Sequence, residues 1–317
     1  PAVPVKDKPM ILHIIDLLEK NGIYDIAITL KYLPGEIKKI VESAISRGDV
    51  KADIKFCTET APLGTAGSVK NCIAECYENS EEDFLIISGD AMTDINLREM
   101  IDFHKNFGKM ATIAVKTVEV PTEFGVVLTN KENMVTGFIE KPVWSEAVSN
   151  LVNTGIYIIT SELMEQCPSG ISCDFAKDIF TKVPDLSKNI AAYQTNAFWC
   201  DIGDIQSYRR VNLKDGGFIG ENCNISGEAE IQNSVICHGC SIGAGTVVID
   251  SVIMPNTVIG KHCKISESVL CPSISVDDGV IAEDAVIGEK STIGRSAIKV
   301  QKYGIMPTFY RKVLFMA

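Results

Sequence analysis

The stretch Leu85–Asp94, LIISGDAMTD, passes from a strongly apolar run into Ser88-Gly89-Asp90 and a further carboxylate at Asp94. A carboxylate held at the end of a buried strand suits Mg2+, which takes hard oxygen ligands and is commonly held by one or two carboxylates plus substrate phosphates. Gly89 leaves room for a ligand to approach the backbone. A structural reading competes: Asp90 caps the following turn, and Asp94 caps the helix from Leu97. Asp201, in FWCDIGD, is another carboxylate beside an apolar strand with glycine near it.

Three more stretches offer binding chemistry. Pro62–Lys70, PLGTAGSVK, is a glycine-bearing loop running into a helix. There Leu63, Gly64 and Thr65 would present backbone groups, and a helix N-terminus can hold an anion or read a base edge. Phe138–Pro142, FIEKP, puts Glu140 and Lys141 at a strand end, suited to a sugar hydroxyl and a phosphate, or else to an exposed ion pair of little consequence. Asn153-Thr154-Gly155 opens the strand pattern IYIIT.

Elements must hold these residues in place. Apolar residues at Ile11, Ile14, Ile15 and Leu18 have helical spacing, and Asn21-Gly22 ends that helix. Tyr24–Leu30 reads as a buried strand, Pro34–Ser46 as a helix with proline in its first turn, and Ile54–Cys57 as a strand. Ala66–Cys76 is predicted helical, Phe84–Ser88 a strand, Leu97–Asn106 a helix and Met110–Lys116 a strand. Such alternation predicts an α/β domain with a mostly parallel sheet covered on both faces. Strands dominate from Gly125 to about Thr160, so a mixed or antiparallel portion is expected there. Ligands of open α/β sheets bind at the carboxyl ends of strands, where Asp90 lies.

The last third changes grammar. From Phe218 it divides into five lines of 17 residues. The second place holds Ile219, Ile236, Ile253, Leu270 and Ile287, and the eighth Ile225, Ile242, Ile259, Val276 and Ile293. The fourteenth holds Ile231, Val248, Ile265 and Ala282 before decaying at Lys299. Each line therefore predicts three short strands with inward aliphatics, a β-solenoid of three-sided coils. Tyr303–Ala317 leaves this register and reads as a cap, an oligomer segment or the edge of a longer chain.

The totals agree. The 317 residues allow two domains, divided here as 1–213, 218–302 and a terminal 303–317. A net charge of −11 argues against nucleic acid or an anionic membrane as partner, and no apolar run is long enough for a membrane span. Eleven irregularly spaced cysteines read as reduced thiols of a cytoplasmic protein.

LGTAGSV, ISGDAMTD, EFGVV, FIEKP, VNTGIY and FWCDIGD occur in the order found in the sugar-1-phosphate nucleotidyltransferases, and the chain resembles that family over nearly its whole length. It looks most like the bacterial branch of mannose-1-phosphate guanylyltransferases. The resemblance implies a Rossmann-like catalytic domain followed by a left-handed β-helix of hexapeptide repeats, which would mediate homo-oligomer contacts. It implies transfer of a nucleotidyl group from an NTP, GTP favoured, to a sugar-1-phosphate, mannose-1-phosphate favoured, with release of pyrophosphate. On matching residues, Asp90 and Asp201 would bind Mg2+. Leu63, Gly64, Thr65 and Gly89 would lie on the nucleotide side. Gly125, Glu140, Asn153 and Thr154 would line the sugar, and Lys141 would hold its phosphate.

The family's glycine-rich GGxGTRL-type loop and following lysine belong just before Pro1; we expect that loop, with the first strand of the sheet, to precede it, the alternative being a chain that lacks it and is nearly inactive. A similar break is expected at Asp215-Gly216-Gly217. Rival readings are a glucose-1-phosphate uridylyl-, adenylyl- or thymidylyltransferase and a non-catalytic regulatory paralogue that binds nucleotide sugar. A β-helix acyltransferase would use His238 or His262 as base. Zinc at Cys237-His238-Gly239-Cys240 is disfavoured, because no second pair follows at suitable spacing.

Overall fold

The computed structural model describes residues 2–78, 80–289 and 291–294, together with the backbone of Leu314–Met316. It divides into two compact units, one of residues 11–199 with 312–317 and one of residues 1–10 with 200–311.

The first unit is built on a nine-stranded mixed sheet. Its main path runs Ile190–Gln194, Ala111–Thr117, Leu151–Ile159, Phe84–Ser88, Leu314–Met316, Asp25–Leu30, Asp53–Thr58. Asp25–Leu30 pairs in parallel with Asp53–Thr58, and Ile190–Gln194 in parallel with Ala111–Thr117. Leu151–Ile159 runs antiparallel to both of its neighbours on this path. Gly125–Thr129 and Val135–Glu140 form an antiparallel hairpin attached to it at Val126. The expected mixed portion is therefore this hairpin and the long strand beside it. Phe84–Ser88 is buried throughout, as a central strand covered on both faces must be.

Local chemistry sets the helix limits. Helix α1 spans Met10–Lys20, and helix α2, Pro34–Arg47, begins on proline and ends at Gly48 (φ 79°), whose N–H reaches back to Ala44 and Ile45 carbonyls. Helix α3 spans Gly64–Cys76, starting two residues earlier than its apolar spacing predicts. Helix α4, Leu97–Phe107, is capped by Asn96, whose side chain accepts from Glu99 N–H. The expectation that Asp94 caps this helix is thus corrected: Asp94 Oδ1 accepts from Phe198 N–H at 2.6 Å instead. Asn153-Thr154-Gly155 likewise lies inside the Leu151–Ile159 strand rather than opening it. The register against Ala111–Thr117 shifts between Asn153 and Tyr157, a bulge made possible by Gly155 at φ 76°.

Leu314–Met316 pairs antiparallel with both Asp25–Leu30 and Phe84–Ser88. Those three residues are thus paired within the sheet of the first unit. The rest of the predicted terminal segment, 303–313 and Ala317, lies outside the described residues, as does Lys299 of the last line.

The second unit contains the Pro4–Val5 and Lys8–Pro9 hairpin, helix α5 (Ile205–Leu213) and the repeats. Among the described residues, fourteen short strands form three parallel ladders of five, five and four. Ile236 pairs with Ile253 and then Leu270, Ile242 with Ile259 and then Val276, and Val248 with Ile265 and then Ala282. The 17-residue register thus holds on every face. Ile219 departs from the expected inward packing and is 55% exposed, because it belongs to the first coil and has a partner coil on one side only. Buried serines close one corner: Ser251 N–H donates to Ser234 Oγ, Ser268 N–H to Ser251 Oγ, and Ala285 N–H to Ser268 Oγ. After Leu213, Gly216 adopts φ 85° and its N–H donates to Leu213 O at 3.0 Å, leading the chain into the first coil.

Candidate active site

Phe84–Ser88 ends against Gly89 and Asp90. Ser88 Oγ donates to Asp90 Oδ1, orienting the carboxylate at the strand end. Across the sheet a Cβ on Gly155 would stand 3.2 Å from Ser88 Cβ, so the bulge brings the backbone close to this end. Gly89 is buried and Asp90 half-buried.

Gly125 pairs with Glu140 across the hairpin. A side chain at Gly125 would meet Glu140 Oε2 at 3.1 Å and Asn153 Cβ at 3.9 Å, so glycine keeps the space between these two open. Asn153 donates from Nδ2 to the Tyr157 hydroxyl at 2.8 Å and accepts Gly155 N–H at 3.0 Å. Tyr157 is buried, and its phenol is pushed well above the ordinary tyrosine value. Burial is the main cause, Asn153 opposes it, and the Asp174, Glu140 and Asp90 carboxylates add to it. Three carboxylates from distant parts of the sequence thus act on one ring. Lys141, just past Glu140, is exposed and adopts a left-handed backbone (φ 43°), uncommon outside glycine, and its N–H donates to Phe124 O at 3.1 Å.

The loop entering α3 is held by a segment that the sequence reading does not single out. Cys173 N–H donates to Leu63 O at 2.8 Å, and Cys173 O accepts from Ala66 N–H at 2.9 Å and Gly67 N–H at 3.1 Å. Two of the N–H groups at this helix start are therefore engaged by the chain itself. Gly64 sits at φ 72°, and a Cβ there would be 2.4 Å from Cys173 O, so only glycine fits. Thr65 Oγ donates to Asp174 Oδ2 at 2.9 Å and accepts from Phe175 N–H at 2.9 Å. Asp174 Oδ1 also accepts from Ala176 and Lys177 N–H, capping the Phe175–Ile179 turn, and Asp178 Oδ2 accepts Asp174 N–H. The signal in the sequence is a capping-type aspartate, Asp174, ahead of Phe175-Ala176, with Asp178 four residues later.

Thr154, expected to line the sugar, is engaged by the protein itself. It is buried, its hydroxyl donates to Ala114 O at 2.7 Å, and its carbonyl accepts from Trp199 Nε1 at 2.9 Å. Asp201 ends the Trp199–Asp201 strand and falls in the second unit, followed by Asp204, whose carboxylate caps α5 through Ser207 N–H at 2.7 Å. Each of these carboxylates, Asp90 in the first unit and Asp201 in the second, offers hard oxygens that suit a magnesium-like divalent cation better than a soft metal.

His238, a candidate base in the acyltransferase reading, is engaged by Asp7, Nδ1 lying 2.6 Å from Oδ1 and the His238 N–H 2.9 Å from Oδ2. Cys240 directs its thiol to Met254 O, and Cys223 to Cys237 O, so the repeat cysteines act as small stacked residues. No described helix is long and apolar enough to cross a membrane.

Comparison with known proteins bears on the whole chain. Residues 1–216 match the nucleotidyl transferase family, and residues 201–299 match the LbH domain of the EIF2B epsilon subunit, a left-handed β-helix. The mannose-1-phosphate guanylyltransferase catalytic subunit beta of Drosophila pseudoobscura pseudoobscura is 29% identical over 266 residues, covering 83% of this chain and 65% of its own length. A UTP–glucose-1-phosphate uridylyltransferase of Synechocystis is 28% identical over 302 residues, covering 83% and 77%. A probable mannose-1-phosphate guanylyltransferase 2 of Arabidopsis thaliana is 30% identical over 280 residues, covering 83% and 74%. The crystal structure of HddC from Yersinia pseudotuberculosis complexed with GMP-PN shares the fold, with a TM-score of 0.57 at 24% identity, covering 68% of this chain and 88% of that one.

Proposed function

Because the chain belongs to the nucleotidyl transferase family, we propose that it transfers a nucleotidyl group from an NTP to a sugar-1-phosphate, with GTP and mannose-1-phosphate as the pair. The observation that carries this reading is the space that Gly125 leaves between Glu140 and Asn153, beside the strand that ends in Asp90. Glutamate and asparagine offer acceptors and donors for sugar hydroxyls, and the carboxyl end of the Phe84–Ser88 strand is where phosphates are expected to sit.

The chemistry asks little of an acid or base. A phosphate oxygen of the sugar-1-phosphate attacks the α-phosphorus. The bond from that phosphorus to the oxygen bridging it to the β-phosphorus breaks, and pyrophosphate leaves with the electron pair. The nucleophile is already an anion, so catalysis is positioning together with neutralisation of charge between two anions. Lys141 holds the attacking phosphate, and Glu140, Asn153 and Gly125 place the sugar. Leu63, Gly64, Thr65 and Gly89 form the nucleotide side, with Thr65 fixed by Asp174. Thr154 contributes by anchoring Trp199. Asp90 and Asp201 would hold the divalent cation general to this family, assigned as Mg2+, which when bound would supply charge neutralisation on the phosphates.

The uridylyltransferase relative keeps a UTP and glucose-1-phosphate pair as the second reading. The β-helix is assigned to contacts between copies of the chain, and the eleven free thiols to a reducing compartment such as the cytoplasm. The test is pyrophosphate release across four NTPs and the 1-phosphates of mannose, glucose and N-acetylglucosamine. Preference for GTP with mannose-1-phosphate supports the assignment. Preference for another pair keeps the reaction and moves the substrate, and release with no pair leaves a protein that only binds nucleotide sugar.

A further inference from the structure

Cys57 lies on the Asp53–Thr58 strand, facing helix α3, and its thiol meets two others there. Cys57 Sγ is 2.8 Å from Cys72 Sγ and 3.1 Å from Cys76 Sγ, and all three sulfurs lie within 4.8 Å of one another. Cys72 and Cys76 stand four residues apart on α3, which places them on one face, one turn apart. Among the described residues this is the one group of three metal-ligating side chains that converges so closely, and it contains no carboxylate or imidazole.

We propose that Cys57, Cys72 and Cys76 form a site for one thiophilic metal ion, zinc(II) or copper(I), separate from the Asp90 and Asp201 carboxylates. Three soft sulfur donors select such ions over Mg2+ or Ca2+. Metal–sulfur bonds of about 2.3 Å set sulfurs roughly 3.8 Å apart around a tetrahedral ion. Small side-chain rotations open the two short pairs to that spacing. Cys57 and Cys72 are buried among Ala27, Val69 and Phe84, whereas Cys76 is only partly buried and provides the entry and the open coordination position. Binding releases three thiol protons to solvent, and a divalent ion on three thiolates leaves one net negative charge. Lys55, whose ammonium pairs with Asp25 Oδ1 at 2.7 Å, stands over the ring of Tyr77, the residue after Cys76, at 4.2 Å. The bound ion ties the strand to the helix whose first turn carries Gly64 and Thr65.

The reduced, metal-free chain is titrated anaerobically with Zn2+ against a chromogenic chelator and, in a second arm, with Cu+ against bicinchoninate. The expected result is one ion per chain in at least one arm. Cys57→Ser should weaken it at least about 100-fold, beyond what losing an outer-shell partner costs, and Cys271→Ser in the β-helix should leave it unchanged. Cys76→Ala, at the partly buried position, gives a second reading, with circular dichroism reporting that each variant is folded. No uptake in either arm overturns the site. So does uptake that both Cys57→Ser and Cys76→Ala leave intact, or a Cys57–Cys72 or Cys57–Cys76 disulfide, seen as the loss of two hydrogens in chain isolated without oxygen.

Discussion

The Thr65 hydroxyl donates to Asp174 Oδ2 at 2.9 Å, joining positions 109 residues apart in sequence. With the Cys173 carbonyl holding Ala66 and Gly67 N–H, this bond fixes the start of helix α3 from outside the helix. The loop proposed to face the nucleotide base is therefore shaped by a segment more than a hundred residues downstream.

Asp174→Ala removes the acceptor for Thr65 and the cap for Ala176 and Lys177. A lost cap and an unpaired hydroxyl cost about 1–3 kcal/mol. Thermal unfolding should shift down by several degrees, and KM for the NTP should rise more than kcat falls. Unchanged values for both would detach this segment from the nucleotide side.

Gly64→Ala should be worse than its size suggests. The left-handed backbone costs a side chain about 1–2 kcal/mol, and the new Cβ would press on Cys173 O at 2.4 Å. Gly48→Ala meets no atom within 4 Å at a similar φ of 79° and serves as the comparison. Chemical denaturation of both variants should show the larger loss at Gly64.

Asp90→Asn and Asp201→Asn should each lower turnover at least about 100-fold, the scale of losing one well-placed electrostatic group. The folded content should stay close to that of the parent. Pyrophosphate release at saturating substrates measures this, and near-parental rates in either variant would remove that residue from the metal assignment.

Tyr157 gives an alkaline signature. Burial raises its folded-state ionisation above the ordinary 10.0, whereas the unfolded chain titrates near 10. The resulting stabilisation is complete below that pH and is lost as pH rises toward the folded-state value. Tyr77 is raised for the same main reason, so both contribute to the decline. Tyr157→Phe should flatten, without abolishing, the fall of stability above about pH 10. Denaturation midpoints collected from pH 8 to 11 would reveal an unaltered slope if the reading were wrong.

Ile265 is fully buried and paired with Val248 and Ala282 in neighbouring coils. Ile265→Ala should cost about 2–5 kcal/mol, because the stacked coils collapse poorly around a cavity. Ile219→Ala, at the exposed first coil, should cost far less, and equal losses at the two positions would contradict the stacking.

The sequence alone determined the repeats and most of the α/β elements, because period and burial are local properties written into residue order. Ile236, Ile253 and Leu270 recur every 17 residues, and that spacing is the ladder itself. Motif order likewise marked Asp90, Glu140 and Asn153 as candidates. Tertiary structure decided which of these groups meet and which are already committed. Thr154 matches the family motif, yet its hydroxyl is spent on Ala114, a contact across 40 residues that no local pattern encodes. Asp94 reads as a cap by position, but Asn96 lies nearer the helix start and leaves Asp94 to Phe198. The Asp174 bond to Thr65 and the convergence of Cys57 with Cys72 and Cys76 depend on how strand and helix pack. Hydrogen bonds and thiol contacts at these distances are set by side-chain packing in three dimensions, which spacing along the chain does not specify.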